Sequence, residues 1–436
     1  MMPIKRTFIL STVLLTLALF AAAQHSTPYS RFGLGTELST DFGVSKGFGQ
    51  LGSAFKHPFN SNYTNPASYS KLKLTTLETG VYFNRANFSS PGGSSFSSGD
   101  ASMDYLALGF PITDFWGTSI GLIPFSKVRY DYQRQINHPE LGKYKSLNTG
   151  SGQLYQFYWG NGFNYNNISI GFNVAFLFGN VKHREVLLFP DSTKRLNTWH
   201  SNDVSYKDII WNIGAQYNLP LNNDRTLTFG IQGSPSTDVY SDRTESWQTF
   251  SFSESDVSLD EFRNRLRDDQ ISIDDTAQQQ KSSGRNTTLP LKIGAGAMLQ
   301  KENNWRVGVD LEYTGWDQFN NYFFDEPLTN SWRIGVGGQI TPDPEAVNAY
   351  LKRMQYRLGG YYNTGRLEFE GQRVAQYGMT FGFSLPINNT VSKVTIAGDI
   401  GTYRAPGSDE LVDENYYKLN LSFTLNDKWF TQRKIK

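Results

Sequence analysis

The chain has 436 residues, with 41 Lys and Arg against 40 Asp and Glu and no Cys. This balance gives no nucleic-acid footprint and no general attraction to acidic partners, and without Cys an exported chain cannot be stapled by disulfides. A mean hydropathy of −0.46 excludes a helical membrane protein but not a β-barrel, in which lipid-facing and lumen-facing residues alternate and their hydropathies cancel.

At the N-terminus, Lys5 and Arg6 precede an apolar run that ends in small residues before Gln24. A charged start, a short apolar core and Ala21-x-Ala23 are the parts of a cleavable signal peptide, and the run is too short for a spanning helix. Residues 1–23 are therefore read as signal peptide and 24–71 as a separate N-terminal segment. That segment is rich in Gly and Ser but carries Phe32, Leu34, Phe42, Phe48, Leu51, Phe55 and Phe59, too many apolar residues for a solvated tail. It ends in "TNPASYSKL". Pro66 fixes its own φ and pushes Asn65 out of the helical region, so Asn65-Pro66-Ala67 is a rigid turn feeding the first strand.

From residue 72 onward the period is 2. In 168–178 the even positions are Ile168, Ile170, Phe172, Val174, Phe176 and Phe178, against Ser169, Gly171, Asn173, Ala175 and Leu177, over the length of a tilted membrane-spanning strand. The pattern predicts fourteen strands, at 72–88, 102–112, 116–133, 152–164, 167–183, 205–219, 225–237, 289–301, 303–315, 329–340, 353–366, 373–386, 391–404 and 414–426. An even number suits a closed antiparallel barrel of one bacterial chain, and closure matters because lipid cannot satisfy an open edge. Connections after strands two, four, six, eight and twelve are short and rich in Asn and Asp; the others are longer, Val239 to Thr288 the longest, and the tenth, "TPDPEAVNAYLKRM", predicts a short helix on the periplasmic rim. Short turns belong to the periplasmic side, which predicts both termini there, with Trp116, Trp305 and Trp429 in an interfacial girdle.

Strand three carries Pro124, which cannot donate a ladder hydrogen bond and so predicts a gap or bulge in the wall. Simple alternation turns Ile120, Leu122, Val128 and Tyr130 to lipid and Ile123 and Phe125 inward, with Lys127 and Arg129 above them. An apolar patch beneath two cations suits a ligand with a hydrophobic tail and an anionic head. Other inward charges, Glu78, Arg306, Asp310, Glu312, Arg333 and Arg357, read as a lumen network, and "SDVSLDEFRNRLRDD" in the longest loop as a lid or a solvated loop. None of the five His stands in a metal-ligating or Ser-His spacing, so no catalytic residue, metal or cofactor is expected.

The stretch "GVSKGFGQLGSAFKHPFNSNYTNPASYSKLKLTTLETGVYF" resembles the start of the long-chain fatty-acid transporter (FadL) family of outer-membrane proteins, closely over Gly43 to Phe83 and beyond that in strand count and loop pattern. The resemblance implies an all-β fold: a fourteen-stranded antiparallel transmembrane β-barrel in the bacterial outer membrane (residues 72–430) with the N-terminal segment inside as a hatch. It also implies sideways release of hydrophobic substrates through a kink in strand three. The chain departs from the family at its end, where Trp429 and Phe430 are followed by a six-residue tail, 431–436, so recognition of the last strand by the barrel-assembly machinery is less obvious. Two functions follow as expectations: transport of a hydrophobic small molecule into the bilayer, or, with no small-molecule ligand, an accessory or docking role among the subunits of a protein-secretion or surface-attachment machine.

Overall fold

The structure is a computed structural model that describes residues 27–429 except 91–94, 141, 190–195, 252–260, 263–264, 266–271, 322–327, 347, 388–389 and 406–410. The stretch read as a signal peptide and the C-terminal tail lie outside the described residues.

Fourteen wall strands close on themselves. They are β1 Thr75–Ser89, β2 Ser95–Pro111, β3 Trp116–His138, β4 Gly142–Tyr165, β5 Ile168–Leu188 and β6 Asn197–Leu221. Next come β7, in two segments, Arg225–Ser234 and Thr237–Phe250, and β8, in two segments, Asp275–Leu289 and Lys292–Lys301. The wall is completed by β9 Trp305–Thr314, β10 Ser331–Ile340, β11 Gln355–Asn363, β12 Ala375–Pro386, β13 Lys393–Arg404 and β14 Asp413–Asp427. Each pairs antiparallel with its sequence neighbour, and β14 pairs with β1 from Thr75↔Asp427 to Ser89↔Asp413, which shuts the ring. The predicted strands are all present. Their turns also behave as predicted: Asn166, Asn223, Asp224 and Asn303 adopt left-handed backbone between β4 and β5, β6 and β7, and β8 and β9, and a single helical turn, Tyr350–Arg353, sits in the tenth connection.

Alternation sets what meets lipid. Ile168, Ile170, Phe172, Val174 and Phe176 of β5 and Ile209, Trp211 and Ile213 of β6 are exposed, while Ser169, Asn173 and Leu177 between them are buried in the lumen. The same exposed band continues through Val307, Val309 and Leu311 of β9 and Leu419, Phe423 and Leu425 of β14. An apolar belt on the outside and polar residues within is the surface of an outer-membrane barrel.

The wall is lopsided. β9 to β13 have nine to twelve residues, enough to cross the bilayer, whereas β3 to β6 have 21 to 25 and rise well past it. Here the sequence reading is corrected: most of Val239 to Thr288 is not loop. Thr237–Phe250 and Asp275–Leu289 pair with each other, and the first of them also with β6, continuing β7 and β8 upward past Pro235 and Pro290. Their residues, such as "SDRTESWQT", are largely polar on both faces and so carry no lipid-facing alternation, which hid them. Of the "SDVSLDEFRNRLRDD" stretch only Glu261, Phe262 and Arg265 are described; Phe262 is buried against Phe250, Trp199, Val186, Leu188 and Leu147 on this upper sheet.

Residues 27–72 lie inside the barrel. Gly52 and Ser53 N–H donate to Asp310 of β9, Gly49 N–H to Thr380 of β12, and Asn173 of β5 donates to the Tyr63 carbonyl. A segment bonded to inward residues on several sides of a closed wall can only run through its lumen. Thr27, the first described residue, is bonded to Glu414 and Arg129 near the outer ends of their strands, and the chain descends from there to Lys71. The upper part of the segment is held by the edge of β3.

Candidate functional site

The site begins with Pro124. Opposite β4 the register runs Ile123↔Gln156, Pro124↔Tyr155 and then Ser126↔Leu154, so Phe125 is the extra residue of a β-bulge. On the other edge, β3 stays paired with β2 only from Pro111↔Gly117 to Leu106↔Leu122. Above Leu122 no further pairing joins the two strands, which leaves a lateral gap in the ladder of the wall.

The gap is not left open. Thr36–Glu37 form a two-residue strand on the freed edge of β3, in register Thr36↔Lys127 and Glu37↔Ser126. Leu38 N–H donates to the Phe125 carbonyl at 3.1 Å, Thr27 N–H to the Arg129 carbonyl at 2.9 Å, and Arg129 N–H to Ser30 Oγ at 3.0 Å. The hatch therefore supplies the partners that β2 withholds, as buried backbone requires. Gly35 makes this possible: its φ is +94° and a Cβ there would stand 2.4 Å from the Lys127 carbonyl oxygen.

Past the bulge, burial no longer follows simple alternation. Val128 and Tyr130, read as lipid-facing, are buried with Leu34, Leu154, Leu177, Val181, Val204 and Tyr206. Ile123 is buried among Phe42, Tyr63, Tyr69, Tyr105 and Tyr158, and Phe125 packs half-buried against the Leu34 cluster. These flanks of the proline are covered by hatch and wall aromatics and do not form an open apolar patch. Lys127 and Arg129 do lie together, on the wall of a cavity of ≈ 270 Å³ between the hatch and the upper barrel.

That cavity carries many charged groups among apolar and aromatic ones. Besides Lys127 and Arg129 it meets Asp100, Lys292, Asp310, Glu312, Arg333, Arg366, Glu414 and Lys418 of the barrel and Glu37 and Asp41 of the hatch. Much of this is paired. Lys127 bridges the gap to Asp100 at 2.5 Å, Asp100 also accepts from Tyr82 Oη at 2.9 Å, and Lys292 pairs with Glu312 at 3.3 Å. Sequence reasoning missed Asp100, Tyr82 and the hatch residues Thr36 and Glu37; the Gly33-Leu34-Gly35 run was the one local signal of a close approach.

The turn Asn65-Pro66-Ala67 lies at the heart of the hatch. Asn65 caps the short helix Pro66–Lys71 by accepting from Ala67 N–H. Its Nδ2 donates to the carbonyls of Ser53 at 2.6 Å, Ile231 at 3.1 Å and Ala215 at 3.3 Å. Wall glycines admit it: a Cβ on Gly171 would lie 2.5 Å from Ala67 N, and one on Gly214 would lie 2.1 Å from Asn65 Oδ1. Among the described residues no group of His, Asp and Glu is arranged to hold a metal ion.

Comparison with known proteins agrees with this architecture. The family model described as BamG matches residues 2–436. Among solved structures, the chain is similar to a FadL homologue of Pseudomonas aeruginosa (13% identity, TM-score 0.60, covering 90% of this chain and 99% of that one). It is similar too to the CymD monoaromatic hydrocarbon channel (13%, 0.59, 91% and 100%) and to the Pseudomonas putida toluene transporter TodX (12%, 0.58, 90% and 100%). At these identities the likeness is one of fold, which is FadL-like. No curated protein matches the chain.

Proposed function

The chain belongs to the BamG family, and from that premise we propose that it works as a plugged outer-membrane barrel, an accessory or docking subunit of a protein-assembly or secretion machine. The filled lumen carries this reading. Phe48, Leu51, Phe55, Asn65, Ala67 and Tyr69 of the hatch are all at most 1% exposed, so the hatch occupies the space a conduit would need. The remaining cavity mixes ionic groups with apolar and aromatic residues, and the ionic groups are costly for a hydrophobic passenger to desolvate. Partners would come from the barrel-assembly machinery or from secretion-machine subunits, and the tall sheet of β3 to β8 offers them a surface above the bilayer. The test combines mass spectrometry of gently purified protein with native gels of the outer membrane. The docking reading expects no stoichiometric hydrophobe and migration in a large assembly; a retained hydrophobe with migration as a lone barrel overturns it.

The wall gap above Leu106 and Leu122 favours a second reading. In it a hydrophobic small molecule is captured at the outer loops and leaves sideways past Pro124, with Ile123 and Phe125 against its tail and Lys127 and Arg129 against an anionic head. The chain's similarity in fold to a monoaromatic hydrocarbon channel and a toluene transporter supports it. Release would require the segment from Thr27 to Leu38 to leave the edge of β3.

A further inference from the structure

At the periplasmic end of the lumen, far from the cavity beneath the outer mouth, cations gather with too few anions. Inward positions on successive strands run Arg306↔Gln339 and Gln339↔Arg357, then Gln355↔Ser384 and Ser384↔Thr395, with Lys393 at the start of β13. Arg357 is held entirely by neutral groups: Nε to Gln339 at 2.8 Å, Nη1 to Ser384 at 2.7 Å and Nη2 to Gln355 at 2.6 Å. Lys393 donates to the same Gln355 oxygen at 3.3 Å, so two cations share one uncharged acceptor. Arg306 is 5% exposed, lies over the Phe55 ring, and its Nη1 has no hydrogen-bond partner. From the hatch side Lys56, buried, donates to Ser169 Oγ, and His57 sits within the field of all three wall cations.

The carboxylates that face this group are Glu78, taken by Asn60 at 2.7 Å, and Glu302 on the turn beside Arg306. Among the described residues, none comes within ion-pair distance of Arg306, Arg357, Lys393 or Lys56. Buried guanidinium and ammonium groups left without a counter-charge are strongly disfavoured, and burial together with Lys71 pulls the Lys56 ammonium down to about 7.

We propose that this ring binds a phosphate-type oxyanion entering from the periplasmic side, free in solution or carried as a lipid headgroup. A tetrahedral phosphate oxyanion, free or as a diester headgroup, would accept from the unpartnered Arg306 Nη1 and from Lys393, and its negative charge would offset the local excess of cations. Lys393 and Lys71 are only partly buried and form the approach. The site is independent of the docking reading, since its test is direct binding.

The experiment uses the full chain purified in a zwitterionic detergent at low ionic strength. One arm titrates inorganic phosphate by calorimetry, with chloride as the control. The other reconstitutes the protein in phosphatidylcholine with or without phosphatidylglycerol and reads retained lipid by native mass spectrometry. Saturable phosphate binding without lipid retention assigns a free anion; retained phosphatidylglycerol assigns a headgroup. In either case Arg306→Gln and Lys393→Gln should weaken binding at least tenfold, and Lys352→Gln, an exposed lysine outside the ring, should not. Lys393→Gln, at the rim, reads the site even if Arg306→Gln fails to fold. No saturable binding in either arm, or equal affinity in wild type and Lys393→Gln, overturns the proposal.

Discussion

Asn65 is fully buried, and its side chain serves four backbone groups at once: the Ala67 N–H and the carbonyls of Ser53, Ala215 and Ile231. One of the four was legible. The cap on Ala67 is a local property of Asn before Pro, readable from three adjacent residues. The bonds to Ala215 and Ile231 span 150 and 166 positions, and no local pattern encodes them. Replacing Asn65 with Ala leaves several buried groups without partners, each costing about 1–3 kcal/mol. Asn65→Ala should therefore lower the temperature at which the barrel loses heat-modifiable migration on gels, with normal insertion in the outer membrane. Asn65→Asp keeps the cap but loses the donors, and should fall close to Asn65→Ala. An Asp variant as stable as wild type would show that the cap, not the wall contacts, is what matters.

Among elements, β3 shows best where sequence reading succeeds and where it stops. Its proline was legible as a break in the ladder, since no arrangement gives Pro an N–H. The consequence was not: one extra residue at Phe125 breaks the alternation, so Val128 and Tyr130 are buried while Lys127 and Arg129 still line the cavity. The upper strands escaped for a different reason, because above the bilayer nothing imposes an apolar face. The strand Thr36–Glu37 was invisible, being two residues long and paired with an edge that exists only because β2 and β3 part. A disulfide can test what this seal does, and a chain without Cys offers a clean background. Glu37 and Ser126 are paired across the seam, where Cα atoms about 4.5–5.5 Å apart suit a disulfide. With Glu37→Cys and Ser126→Cys, oxidation should lock the hatch to β3 without disturbing assembly, as gel mobility before and after reductant will show. The docking reading expects cell growth and native assembly to be indifferent to the lock. Substrate uptake that falls on oxidation and returns on reduction would favour lateral release instead.

For the whole molecule, closure and strand number followed from period and turn chemistry, because a bilayer enforces both. The contents of the barrel did not follow in detail, since the hatch makes its contacts through backbone and through glycines scattered over the wall. The consequence of those contacts can be measured by removing residues 27–63, keeping the Asn65-Pro66-Ala67 turn. The wall's own ladder, from β1 to β14 and back to β1, is untouched by the deletion, so a heat-modifiable barrel should still assemble. It should melt earlier, because Asp104 loses Lys46, its partner at 2.6 Å, and Asp310 loses the N–H groups of Gly52 and Ser53. Eight strands enclose a lumen that side chains can fill and sixteen leave an aqueous channel; fourteen lie close to the second case. The truncated barrel should therefore conduct ions steadily in planar bilayers, where the intact protein does not. Equal conductance in the two proteins, at matched insertion, would mean that the lumen is closed by the wall side chains alone and that the hatch has another task.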